Sequence, residues 1–303
     1  LSLSYAYGSF KVTVLPPLIA DAYKLGHKFQ YPNGLEEVYS NFTARGSRIP
    51  SIDRVVVFAI QYFLREYLNN RWDRDFFGSP KDKVLSKYKK RADTMLGKDA
   101  ITVDHIAALH ELGYLPLLIK ALPEGTLCPI RIPMLTIKNT LPDYSWLTNM
   151  IETNLSLAIW HPQTSATKSF YLYKQLYEDA KRSNPEMVDF VKFQAHDFSM
   201  RGQTSLESAM GSGAGHLLSF RGTDTIPAID WLAEYYDADE ESDEIGSSCP
   251  ATEHSVMCVS SEYFAQTKVA SYVEEIFNEE TQQWEFSSLI YDENVVEGEI
   301  NSL

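Results

Sequence analysis

Hydrophobic positions fall into two textures along this chain. In the first half, mixed alternation gives way to helical spacing and back again. Residues 11–19 (KVTVLPPLI) predict a short strand broken by prolines, and 21–34 (DAYKLGHKFQYPNG) a helical turn and a loop closed by Pro-Asn-Gly. Residues 36–45 alternate as a strand, and 55–68 (VVVFAIQYFLREYL) carry apolar residues at helical spacing. A more polar helical region spans 75–96. Two strands joined by a turn follow at 115–125 and 128–140, then a helical pair with bulky apolar faces at 143–160 and 164–183.

After residue 186 the texture becomes repetitive. A strand at 188–198 (VDFVKFQAHDF) leads into a helix at 203–217, and a strand at 217–224 (LLSFRGTD) into a helix at 225–236. A third short segment, 249–257, leads into a helix at 267–277. Strand and helix alternating at this spacing predict a parallel α/β unit, part of a barrel. The expected organisation is a mixed α+β N-terminal domain (1–142), a helical connector (143–185) and a partial α/β barrel with an acidic tail (186–303).

In such units the C-terminal ends of strands carry the chemistry. All three predicted strands end in polar groups: His196, Asp197 and Arg201; then Arg221, Thr223 and Asp224; then Glu253 and His254. Any one of these alone reads as a surface ion pair or a cap, and Asp224 before a helix is a natural N-cap. Three successive strand ends favour a site. The run Gly-Ser-Gly-Ala-Gly (211–215) lies inside a helical segment and lacks a P-loop lysine, so it reads as small residues permitting close helix–strand packing. The acidic run 237–244 reads as a solvated loop.

Charge narrows the function classes. A net charge of −14 disfavours general nucleic-acid binding but leaves room for a phosphorylated small molecule held by local arginines. No stretch approaches the roughly 20 apolar residues of a membrane span. Cys128, Cys249 and Cys258 match neither a zinc site nor a disulfide framework, which suits free thiols in a reducing cytoplasm.

Several segments, in order, carry a resemblance: DAYKLGHKFQYP, EVYSNFTARGSR, LPLLIKALPEG, WLTNMIET, HDFSMRG, FRGTD and PATEHS. From about residue 18 to 260 the chain resembles the nicotinamide phosphoribosyltransferases, type II phosphoribosyltransferases of NAD salvage. The resemblance implies an incomplete α/β barrel behind an α+β domain. It also implies joining of nicotinamide to phosphoribosyl pyrophosphate, giving nicotinamide mononucleotide and diphosphate. Mg²⁺ would accompany the pyrophosphate, and ATP would act as a coupled co-substrate through a phosphohistidine.

By motif, Phe198 would stack on the nicotinamide ring, and Tyr23 would cover the other face from the partner subunit of a homodimer. Asp224 would accept from the carboxamide and reject nicotinate. Arg201 would lie near ring and phosphate, and Arg45 near the phosphates. His254 would be the phosphorylated histidine, with Glu253 or Asp224 orienting it; no residue is assigned as a metal ligand. His27, His105, His110, His161 and His216 are taken as structural; His196 is a marginal candidate, and it and Asp197 are expected to shape the turn.

Beyond residue 260 the chain lacks the family's Arg-Pro-Asp-Ser-Gly segment and glycine-rich phosphate loops. Residues 262–303 hold ten acidic side chains and one Lys. Two alternatives therefore stand beside a cytoplasmic enzyme. One is a split or truncated fragment that binds a full-length relative or a separate C-terminal polypeptide. The other is a nicotinate enzyme, which Asp224 disfavours.

Overall fold

Residues 13–267, 275–278 and 283–286 are described by the computed structural model of this chain. They form two compact units, Leu1–Ser248 and Cys249–Leu303.

In the first unit, 3₁₀ turns at Pro16–Leu18 and Ala22–Phe29 precede β1 (Tyr39–Thr43) and β2 (Arg54–Val56). The strand expected at 11–19 is absent from its described part. Pro16 and Pro17 fix φ and remove two ladder donors, so the chain turns instead. Helix α1 (Ile60–Tyr62) runs on into π-helical turns at Phe63–Arg71 and Asp73–Phe77. Its start is unusual, because Ala59 has φ 69°. The half-buried Glu124 carboxylate accepts from the Ala59 and Gln61 backbone N–H groups and from the Tyr236 hydroxyl, which satisfies this end.

Helices α2 (Lys81–Leu96) and α3 (Asp104–Leu112) follow, each closed by a glycine at positive φ, Gly97 and Gly113. Strands β3 (Leu117–Ala121), β4 (Leu127–Pro129) and β5 (Pro133–Asn139) complete two antiparallel sheets, β1-β5-β3 and β2-β4. Their apolar faces and the helices bury Phe58, Phe63, Trp72, Phe76, Tyr88 and Trp146 in one core.

The expected helical pair is a short α4 (Leu147–Met150) and then one continuous helix, α5 (Glu152–Ser183). Pro162 lies inside α5 without ending it. The proline ring is used as a packing surface: a Cβ on Gly211 would sit 2.7 Å from Pro162 Cγ, and one on Gly215 would sit 2.5 Å from the Pro162 carbonyl oxygen. The small residues of α6 (Leu206–Leu217) permit close packing, but Gly211 and Gly215 meet helix α5 rather than the expected strand.

The predicted strand 188–198 is mostly a 3₁₀ helix, Pro185–Phe193, and only β6 (His196–Asp197) is extended. A short apolar run cannot separate a strand from a helical turn, and a proline after Asn184 favours the turn. The strand predicted at 217–224 is likewise confined to β7 (Gly222–Thr223), which pairs parallel with β6 in the register His196↔Gly222 and Asp197↔Thr223. Ser247 adds a parallel bridge to Gly222, after helix α7 (Pro227–Tyr236) has crossed over. The order β6, β7, Ser247, joined by α6 and α7, is a short parallel α/β run.

In the second unit, 249–257 is not a strand segment: a loop through Glu253 leads into α8 (His254–Thr267). The predicted helix 267–277 is corrected at its end, where β8 (Glu275–Asn278) pairs antiparallel with β9 (Gln283–Phe286). The sequence FSSLIYD at 286–292, which is strand-like in pattern, lies outside the described residues apart from Phe286.

Candidate active site

The candidate site sits where β6 and β7 end. The register places Phe198 and Asp224 one step beyond the paired residues, and Asp224 N–H donates to the Asp197 carbonyl at 3.0 Å. Side chains alternate along an extended chain, so His196 and Phe198 share a face while Asp197 points away. His196 and Phe198 stack, with centroids 4.4 Å apart and planes inclined 26°. Phe198 is 70% exposed, so its far face is open.

Asp224 is not an N-cap. Helix α7 begins three residues later, with Ile226 at its N-cap and no side-chain cap, and the Thr223 hydroxyl takes the local N–H of Thr225. The Asp224 carboxylate instead faces His196 and Ser248. Its Oδ1 accepts from Ser248 Oγ at 2.5 Å and from His196 Nε2 at 2.7 Å. These two donors, Ser248 first, hold the Asp224 carboxyl below the ordinary carboxylate range. Among the described residues its Oδ2 has no hydrogen bond, and the side chain is 45% exposed.

The neighbours divide into structural and available groups. Asp197 shapes the turn by accepting from Ser199 N–H at 2.9 Å. Burial works to raise its carboxyl, but hydrogen bonds from Ser199 and Thr225 outweigh that and leave it low. Arg221 closes α6 by donating to the Leu217 and Phe220 carbonyls, so it is not a free strand-end cation. Arg201, in the 3₁₀ turn Met200–Gly202, is exposed and has no ion pair among the described residues.

Two candidates lie apart from this cluster in the single chain. Tyr23 is 61% exposed and packs its ring on His27 at 5.3 Å; Arg45 is exposed just past β1. Neither contacts Phe198 or Asp224 among the described residues. His254 belongs to the second unit, where it opens α8 and its Nε2 lies 3.3 Å from Cys258 Sγ. Glu253 accepts there from the Ser255 hydroxyl rather than from His254.

His196 was underrated and Ser248 missed by sequence reasoning. The i, i+2 spacing of His196 and Phe198 was a usable signal for a shared face. Ser248 carries no such signal, because a long loop brings it to Asp224. A cavity of about 860 Å³ opens beside β6, lined by His161, Lys168, Lys174, Asp197, Ser199 and His216. It includes neither Phe198 nor Asp224, so the ring site is an open shelf outside it. Among the described residues no group of three or more His, Cys, Asp or Glu is placed to hold a metal ion. No helix there is long and apolar enough to cross a membrane.

Residues 17–73 match the nicotinamide phosphoribosyltransferase N-terminal domain, and 193–285 match the nicotinate phosphoribosyltransferase family. The chain is 47% identical over 259 residues to a nicotinamide phosphoribosyltransferase of Acinetobacter baylyi, covering 84% of this chain and 50% of that one. Identity is 31% over 240 residues to the Xanthomonas campestris nicotinamide phosphoribosyltransferase, covering 79% and 48%. The crystal structure of human nicotinic acid phosphoribosyltransferase superposes with TM-score 0.52 at 15% identity, covering 80% of this chain and 40% of that one. That likeness speaks to fold alone.

The fold is similar to that of the type II phosphoribosyltransferases, with a mixed part built on antiparallel sheets followed by a short parallel α/β run. Within that class the chain is nicotinamide phosphoribosyltransferase-like. It spans about half the length of the curated relatives it matches.

Proposed function

We propose that this chain carries the ring-binding part of a nicotinamide phosphoribosyltransferase, which converts nicotinamide and phosphoribosyl pyrophosphate to nicotinamide mononucleotide and diphosphate. The observation that carries the reading is the Asp224 carboxylate, with Oδ2 free of hydrogen bonds among the described residues, at the end of the strand paired with the one that ends in the exposed Phe198. Nicotinamide stacks flat on Phe198 and donates its carboxamide N–H to Asp224. The ring nitrogen is thereby presented to the ribosyl carbon as the bond to diphosphate breaks. A carboxylate at this position repels nicotinate, which offers an anion where nicotinamide offers a donor.

The exposed Arg201 and Arg45 serve the phosphates. Mg²⁺ enters on the pyrophosphate as part of the substrate and offsets charge on the leaving group. Tyr23 of a second copy closes the ring site in a homodimer with shared sites. ATP transfers its γ-phosphoryl group to the His254 imidazole, releasing ADP. Hydrolysis of that phosphohistidine is coupled to product formation. The Cys258 contact at Nε2 gives way in that step if Nε2 is the nitrogen used. The reading places the enzyme in the cytoplasm.

A second reading, a fragment completed by a separate C-terminal polypeptide or paired with a full-length relative, is favoured by the half-length match. One assay separates the readings: the chain with nicotinamide or nicotinate, phosphoribosyl pyrophosphate, Mg²⁺ and ATP, with product nucleotide measured. Mononucleotide from nicotinamide and little from nicotinate is expected, with Asp224→Ala erasing the preference. Equal use of nicotinate would overturn the specificity. Absence of any nucleotide, together with co-purification of a longer relative, would favour the fragment.

A further inference from the structure

We infer that His196 is a positioning residue that holds both walls of the nicotinamide shelf at once, the Phe198 ring and the Asp224 carboxylate. The inference rests on the ring-binding reading above and adds a residue to it.

Three contacts fix the imidazole. One face lies on Phe198 at 4.4 Å, which leaves only the opposite face of Phe198 for a substrate. Nε2 lies 2.7 Å from Asp224 Oδ1, so this nitrogen carries the proton and donates. The third contact is with Gly222, directly across the parallel register. A Cβ there would stand 2.7 Å from His196 Nδ1 and 3.1 Å from the Ala195 carbonyl oxygen. Glycine at 222 therefore gives the ring its seat. That seat is anchored in turn, since His216 Nε2 donates to the Gly222 carbonyl at 3.0 Å.

The consequence is a division of labour on one carboxylate. His196 and Ser248 both occupy Oδ1, which fixes the rotamer and leaves Oδ2 directed to a ligand. Without the imidazole, a side chain 45% exposed has several staggered positions to choose from, and Phe198 loses its backing ring. Ordering both groups at each binding event weakens affinity. With Nε2–H committed to Asp224, His196 is neither a nucleophile nor a base at that nitrogen, which separates its role from that of His254.

The test measures nicotinamide and nicotinate binding to the full chain by calorimetry, in wild type, His196→Gln, His196→Leu and Gly222→Ala, with thermal unfolding as a control. His196→Leu should weaken nicotinamide about tenfold, the scale of one lost orienting hydrogen bond, and narrow its advantage over nicotinate. His196→Gln, which restores a donor near the Nε2 position but no ring, should recover part of the loss. Gly222→Ala should weaken binding with His196 still present. Where turnover is measurable, KM for nicotinamide should rise while KM for phosphoribosyl pyrophosphate stays. Wild-type affinity and selectivity in His196→Leu would overturn the inference and leave the ring-binding reading intact. A wild-type chain that binds no nicotinamide would overturn that reading, and the inference with it.

Discussion

His105 makes the stability of this protein acid-sensitive in a way that one substitution should remove. The residue lies on α3, is 8% exposed, and neither ring nitrogen has a hydrogen-bond partner. Phe29, Tyr88 and Trp146 surround it edge-on, with centroids 5.5, 6.0 and 4.9 Å away. Burial in this apolar box, helped by nearby Lys28, pushes the imidazole pKa down from 6.5 to about 4. The folded chain therefore refuses a proton that the unfolded chain accepts. Below pH 6.5 the unfolded state binds more protons, so stability falls as pH falls, until the folded imidazole also titrates near pH 4. At ~1.4 kcal/mol per pKa unit, the loss across that window is about 3 kcal/mol. His105→Phe keeps an aromatic ring in the box and removes the titration. Urea unfolding midpoints of wild type and His105→Phe, taken from pH 7.5 to 4.5, should diverge progressively as the pH drops. The comparison cancels the depressed carboxylates, such as Asp93 and Asp224, whose effects are common to both proteins. Parallel pH curves for the two proteins would refute the reasoning.

Helix packing and the buried lysine give further expectations. Gly215→Ala places a Cβ 2.5 Å from the Pro162 carbonyl oxygen and 2.9 Å from Ala166 N, against the 3.4 Å where ordinary contact begins. Both neighbours are backbone, so overpacking should outweigh the gain in helix propensity and destabilise by about 1–2 kcal/mol. Gly202→Ala, with nothing within 4 Å, should be near neutral in the same urea titration. Lys24, 4% exposed, donates to the Asn149 carbonyl, Asn149 Oδ1 and Glu152 Oε2, tying the Ala22–Phe29 turn to the helices. Lys24→Met should cost about 1–3 kcal/mol by leaving those acceptors unmatched, read as a lowered midpoint; an unchanged midpoint would mean that water replaces the lysine.

Much of the N-terminal fold was legible before any coordinates. The strands expected at 36–45 and 128–140 and the helical region expected at 75–96, observed as a helix over Lys81–Leu96, come from periodicities that burial of one face imposes. The ordered motifs pointed to Phe198 and Asp224, because a strand end followed by a helix start places a side chain at the rim of a parallel sheet; His254 instead opens α8 after a loop. The short strands were less legible. A two-residue β6 has no period to detect, and its extended shape exists only because Gly222 and Thr223 lie alongside.

Sequence therefore determined which residue types stand at the strand ends, since those positions follow from local order along the chain. It also pointed to tight packing around the glycines at 211 and 215, although the partner proved to be helix α5 rather than a strand. Which atoms meet was decided in three dimensions. Ser248 reaches Asp224 across a 24-residue separation, and His196 across 28. Only the parallel register, with a glycine opposite His196, lets the imidazole lie flat against Phe198 and still donate to Asp224. A pattern of polarity along one strand carries no information about the side chain its neighbour lacks, and that missing side chain is what makes room for the site.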